Sequence, residues 1–176
     1  MNLRVLDTNI VLDLWVFDDP ACAALRESLQ DGETRWIATV PMREELARVL
    51  HYPHIAQRLK TRASTADTVL DHFDRHAQLQ PDAPKAPYVC KDADDQKFID
   101  LAVQHGAALH SKDAQVLCMK SRLARCGVAL NPVVDCHGPS ALAMTPTPVT
   151  ARSAATRQSS PLCVHPSIWM ASLRSP

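Results

Sequence analysis

Short apolar runs alternate with amphipathic stretches along most of the chain, and that alternation predicts strands and helices in turn. Leu3 to Leu6 reads as a buried strand and Ile10 to Val16 as the helix leaving it. A second helix fits Ala21 to Leu29, with Asp19 and Pro20 as its start and Gly32 as its stop. Arg35 to Ala38 is the next strand. Pro41 opens a helix through Leu50, where Leu46, Val49 and Leu50 form an apolar stripe, and Tyr52-Pro53 closes it. Thr65 to His76 is amphipathic, with Val69, Leu70 and Phe73 on one face. Beyond a proline-bearing loop from Gln80 to Pro87, Asp95 to His105 is helical, with Phe98, Ile99, Leu101 and Ala102 inward and Gly106 at its end. Ala107 to His110 supplies a third strand and Asp113 to Cys126 a helix ending at Gly127. Val128 to Leu130, or Val133 to Val134, supplies the last strand. Strands alternating with helices predict an α/β fold whose parallel sheet is covered on both faces.

The periodic pattern stops near Gly138, where Pro, Ser, Thr, Ala and Arg take over, so the sequence divides into a folded domain over 1–137 and a low-complexity tail over 138–176 that is predicted to be disordered. With 176 residues, 46% hydrophobic and 22% charged, the chain has the makings of one ordinary globular core. Nineteen basic residues balance nineteen acidic ones. That excludes a protein that coats nucleic acid by bulk charge, yet leaves room for a basic rim around an acidic pocket. The six cysteines form no CxxC pair and sit mostly inside apolar segments, as reduced thiols do. Together with the lack of a signal sequence or a bilayer-length apolar run, this predicts a cytoplasmic protein.

Candidate chemistry lies in the acids. Asp7 comes straight off the end of the first apolar run, followed by Asn9; Glu45 sits in the helix after the second strand; Asp92 and Asp95 precede the next helix; and Asp113 follows Ser111 after the third strand. Singly, each has a structural explanation: Asp7, Asp95 and Asp113 as helix N-caps, Glu45 as a favourable charge in a helix's first turns. Jointly, they repeat one device, an acid where sheet meets helix, and in an open α/β sheet those junctions line the ligand crevice. Several carboxylates held together resist ionisation unless a cation binds between them, and Mg2+ or Mn2+ suits an all-oxygen set. Asn9 and Ser111 are placed to hydrogen-bond the acids. His72 and His76, spaced one helical turn apart, lack a third ligand and are expected on a solvated face, as are His51 and His54. No glycine-rich phosphate loop or GxSxG nucleophile motif is present.

From Asn2 to about Val134 the chain resembles PIN-domain ribonucleases, in particular the bacterial VapC-related toxins of toxin–antitoxin systems. VLDTN at Val5 to Asn9, MREELARVL at Met42 to Leu50, CKDADDQKFIDLA at Cys90 to Ala102 and SKDAQVL at Ser111 to Leu117 match the family's motifs in order. The interval from Gly106 to Asp113 is about one residue shorter than in many relatives, and the tail is unusual; an extension and a shifted reading frame both stay open. The resemblance implies a PIN fold and a metal-dependent endoribonuclease. Asp7, Glu45, Asp95 and Asp113 would hold Mg2+ or Mn2+, with Asn9, Asp92 and Ser111 in support. Its partners would be RNA, a cognate antitoxin and a second copy in a homodimer. Arg43, Arg48, Lys112 and Lys120 are candidates for phosphate contacts. Rival readings are a catalytically silent RNA- or protein-binding PIN module and a structure-specific DNA nuclease.

Overall fold

A computed structural model describes residues 2–133. Strand β1 (Asn2–Leu6) leads into helix α1 (Thr8–Leu12), which widens into a π-helical turn over Asp13–Phe17. A short 3-10 turn at Pro20–Cys22 feeds α2 (Ala23–Gln30), then β2 (Thr34–Ala38) and α3 (Val40–Leu50). Next come α4 (Pro53–Thr61), α5 (Ala66–His76) and β3 (Ala77–Leu79), and after the proline-bearing loop α6 (Gln96–His105) and β4 (Ala108–His110). Two short helices, α7 (Ala114–Leu117) and α8 (Lys120–Arg125), close the described chain.

The four strands are all parallel, in the order β3-β2-β1-β4. Val5 and Leu6 of β1 and Trp36, Ile37 and Ala38 of β2 are all buried. Consecutive strand residues point to opposite faces, so both faces of the sheet are covered, as parallel sheets require. Helix α2 packs on β2, α6 packs on β1 and β4, and α5 lies against α3. Trp36 and Phe73 meet edge to face at 4.7 Å between ring centroids, and burying each aromatic contributes on the order of 2–3 kcal/mol.

The chain progresses from β1 to β2 to β3 in one direction and then returns to place β4 on the other side of β1. The crevice between the carboxyl ends of β1 and β4 is therefore the topological switch point, where open α/β sheets bind ligands.

Several sequence expectations change. The helix before Tyr52-Pro53 ends at Leu50 as expected, but Pro53 also opens a further helix, α4, at whose first position its missing N–H costs nothing. The helix expected over Asp113–Cys126 breaks at Cys118–Met119 into α7 and α8. The last strand reduces to a single parallel bridge between Leu109 and Leu130. Val134, the proposed boundary at 137/138 and the tail lie outside the described residues. Among the described residues no helix is long and apolar enough to cross a membrane.

Candidate acidic site at the switch point

Asp7 is the first residue beyond β1, with its backbone N–H still donating to the His110 carbonyl of β4 at 2.9 Å. It holds the N-cap position of α1 but makes no side-chain cap bond. Its carboxylate, 4% exposed, instead accepts at Oδ2 from Asn9 Nδ2 at 2.7 Å and Ser111 Oγ at 2.5 Å. Burial pushes its pKa up to about 6, with Glu45 and Asp113 adding repulsion and the bonds from Ser111 and Asn9 opposing.

Asp95 likewise occupies an N-cap position, at α6, without a cap bond, and its Oδ2 is buried with no hydrogen-bond partner. Burial, then repulsion from Asp7, Asp113, Asp92 and Glu45, raises its pKa to about 8. Capping therefore does not account for either residue. Glu45 lies beyond the first turn of α3, out of reach of a helix-dipole explanation. Its Oε1 accepts from Thr8 Oγ1 at 2.8 Å and its Oε2 is ion-paired with Lys97.

Asp113 does cap its helix: it accepts from Gln115 N at 2.7 Å, while its charge is still felt by Asp7 and Asp95. Asp92 accepts from Asp94 N at 3.1 Å in the turn before α6, and its charge reaches Asp95. Asn9 and Ser111 connect the two strands: Asn9 Oδ1 accepts from Lys112 N at 3.1 Å, and Ser111 Oγ accepts from Asp113 N at 3.0 Å.

The basic residues expected at phosphate fare differently. Arg43 makes a two-pronged bond to Asp74, with both distances 2.6 Å, and Lys112 bridges Asp13 and Asp19, so both are committed to other acids. Arg48 and Lys120 are exposed, in the last turn of α3 and at the start of α8. His72 and His76 are half-buried rather than solvated, stacked on Trp15 at centroid distances of 5.5 and 6.0 Å. His51 is exposed, with Nδ1 2.7 Å from the Ala47 carbonyl.

Besides Thr8 on Glu45, two residues at the site had not been anticipated. Asn131 clamps Ser111 from both sides, accepting from its N–H at 2.9 Å and donating to its carbonyl at 2.7 Å. It does so from a left-handed conformation, φ 49°, which Asn tolerates better than most residues; an Asn-Pro pair right after an apolar run was the available signal. The other is Lys97, two positions past Asp95.

Among the described residues, no three Asp, Glu, His or Cys side chains already stand as a finished cation cage. The donor chemistry nonetheless fits a hard divalent ion: carboxylate oxygens, mutual repulsion and an orphaned buried oxygen on Asp95.

A family model described as "PIN domain" matches residues 4–109, most of the described chain. That match stops before Ser111 and Asp113, which stand on the geometry alone. Comparison with curated proteins finds no match. Among solved structures the fold is similar to a chain of VapBC2 from Rickettsia felis, crystallised with a DNA fragment from their promoter. The TM-score is 0.50 at 13% identity, covering 73% of this chain and 97% of that one. With its acids gathered where β1 and β4 part and its sequence matched from β1 into β4, the chain belongs to the PIN-domain family.

Proposed function

We propose that this protein is a metal-dependent endoribonuclease and the toxin of a toxin–antitoxin pair, working in the cytoplasm. The observation that carries the reading is the setting of Asp7 and Asp95: neither carboxylate caps its helix, Asp95 Oδ2 is buried without a hydrogen-bond partner, and burial followed by neighbouring acids raises them to about 6 and about 8. Crowded carboxylates are costly to hold ionised and are characteristic of sites built for a cation.

Asp7, Glu45, Asp95 and Asp113 would hold Mg2+ or Mn2+, with Asp92 in support. When bound, such an ion supplies an oriented attacking water and offsets the charge developing on a phosphodiester during in-line displacement. The chain's own contribution is placement. Asn9 and Ser111 fix the Asp7 carboxylate by two donated hydrogen bonds, and Asn131 fixes Ser111. Thr8 holds one oxygen of Glu45. Phosphate contacts fall to Arg48 and Lys120 before Arg43 or Lys112, whose charges are already spent on Asp74, Asp13 and Asp19.

The antitoxin is inferred from the sequence resemblance and the likeness to VapBC2. A segment bringing an Arg against Asp7, Asp95 and Asp113 would block the groove by charge-assisted pairing.

The deciding experiment is cleavage of single-stranded RNA and of DNA by the purified chain, with Mn2+, with Mg2+ and with chelator. RNA cleavage that needs the ion and disappears in Asp7→Asn is expected. Cleavage of DNA alone selects the structure-specific DNA nuclease, and no cleavage of either selects the silent binding module. Expression in cells adds the toxin test: wild type should arrest growth and Asp7→Asn should not.

A further inference from the structure

Lys97 lies in the first turn of α6, and its ammonium does three things at once. It ion-pairs with Glu45 Oε2, donates to the Asp94 carbonyl and rests 4.8 Å from the centroid of the Phe98 ring. The pair is sheltered on both sides, with side-chain exposures of 25% for Lys97 and 17% for Glu45. Phe98 is buried in the core, so the ring that flanks the ammonium is fixed in place.

The other acids of the groove are held by neutral donors or by nothing. Asp7 has an amide and a hydroxyl, Asp113 has a backbone N–H, and Asp95 Oδ2 has no hydrogen-bond partner. Among the described residues, the Lys97–Glu45 pair is the ion pair that reaches Asp7, Glu45, Asp95 or Asp113. Thr8 donates to the other Glu45 oxygen, while Oε2 has the ion pair and no hydrogen bond.

We propose that Lys97 is a built-in counter-cation of the groove, which competes with a divalent ion for Glu45 and thereby sets how much of that ion the site requires. The inference rests on the reading of Glu45 as a cation ligand. Without the ion, the ammonium supplies a positive charge against Glu45, beside Asp7 and Asp95. With the ion, Glu45 has to leave its partner, and a positive charge within a few ångströms of a divalent cation opposes binding. Lys97 is thus a positioning residue that stabilises the empty groove and weakens its hold on the metal.

The test is Mn2+ titration of the full chain by calorimetry, paired with thermal unfolding in chelator and in Mn2+. Lys97→Met should bind Mn2+ about tenfold more tightly than wild type, a modest effect because the pair is part-exposed. It should melt below wild type in chelator and gain more from Mn2+. Lys97→Arg, which keeps the charge, should stay near wild type. Lys97→Gln should follow the Met variant and serves in its place if Met does not fold. In a Glu45→Gln background the Lys97 effect should vanish. Unchanged or weaker Mn2+ binding by the Met and Gln variants, in a protein whose binding is still reduced by Asp95→Asn, overturns the role of Lys97 alone. Wild type that binds no Mn2+ overturns the groove itself and this inference with it.

Discussion

Two groups of aspartates differ in what surrounds them. Asp18 is bonded by Arg62 and Arg26, which hold its carboxyl below the usual range; Lys112 and the Ala21 N–H do the same for Asp19. Burial raises Asp13, and Lys112 opposes that rise. At the switch point, burial first and then other acids raise Asp7 and Asp95 to about 6 and about 8. Both groups are dense in acid, so density does not distinguish a binding site from a structural network. The groups also differ in their supply of positive charge: the first has Arg26, Arg62 and Lys112, while among the described residues the second has Lys97 on Glu45.

The comparison is most sharply tested by removing one acid from each group. Asp95→Asn should leave the circular dichroism spectrum intact and lower Mn2+-dependent RNA cleavage by on the order of a hundredfold or more. Asp18→Asn should leave cleavage unchanged. Equal losses in both variants would erase the distinction.

The next largest effect concerns the support beneath the groove. Asn131→Ala strips both bonds from Ser111, which is fully buried, and should cost about 1–2 kcal/mol of stability along with part of the cleavage rate. Asn131→Gly suits the left-handed backbone and should show the same loss, separating the clamp from the conformation. Chemical denaturation with a parallel cleavage assay reads both.

A smaller effect tests burial of a basic group. His110 accepts from Arg4 Nη1 at 2.6 Å, and its pKa is pushed down to about 4, first by burial and then by Arg4. The unfolded chain takes up this proton near 6.5 and the folded one near 4. Its contribution is thus whole above about 6.5 and is lost as pH falls through that window. Melting temperature measured from pH 7 to pH 4 should drop less in His110→Gln, which keeps an acceptor for Arg4, than in wild type. The smallest change is expected from the stability of Asp18→Asn itself: its ion pairs are exposed, so any fall in melting temperature should disappear in high salt.

What the sequence revealed and what it hid follow a physical divide. β1, β2, α5 and α6 were legible because their apolar spacing is local, and Gly32, Gly106 and Gly127 ended helical runs as read, each with positive φ. β3 was not: Ala77–Leu79 is short, largely exposed and extended by pairing with Trp36–Ala38 of β2. α4 was hidden by a proline that reads equally as a stop and a start. In the site, the acids were visible as residues at sheet-to-helix junctions, whereas their partners were not. Lys97 on Glu45, Asn131 on Ser111, Arg43 on Asp74 and Lys112 on Asp13 are pairings between distant parts of the chain that no local pattern encodes.

The bond from Ser111 to Asp7 spans 104 positions of sequence. Translation delivers Asp7 well before Ser111, which follows only after β1, β2, β3 and α6 have been made. A nascent chain on the ribosome therefore carries Asp7 without the hydroxyl that orients it and without the β4 carbonyl that its N–H meets. Contacts of this separation form late, since the intervening chain must be ordered first. The order of strands thus acts as a timer, and a product cut short before β4 lacks the crevice in which its acids would have to meet.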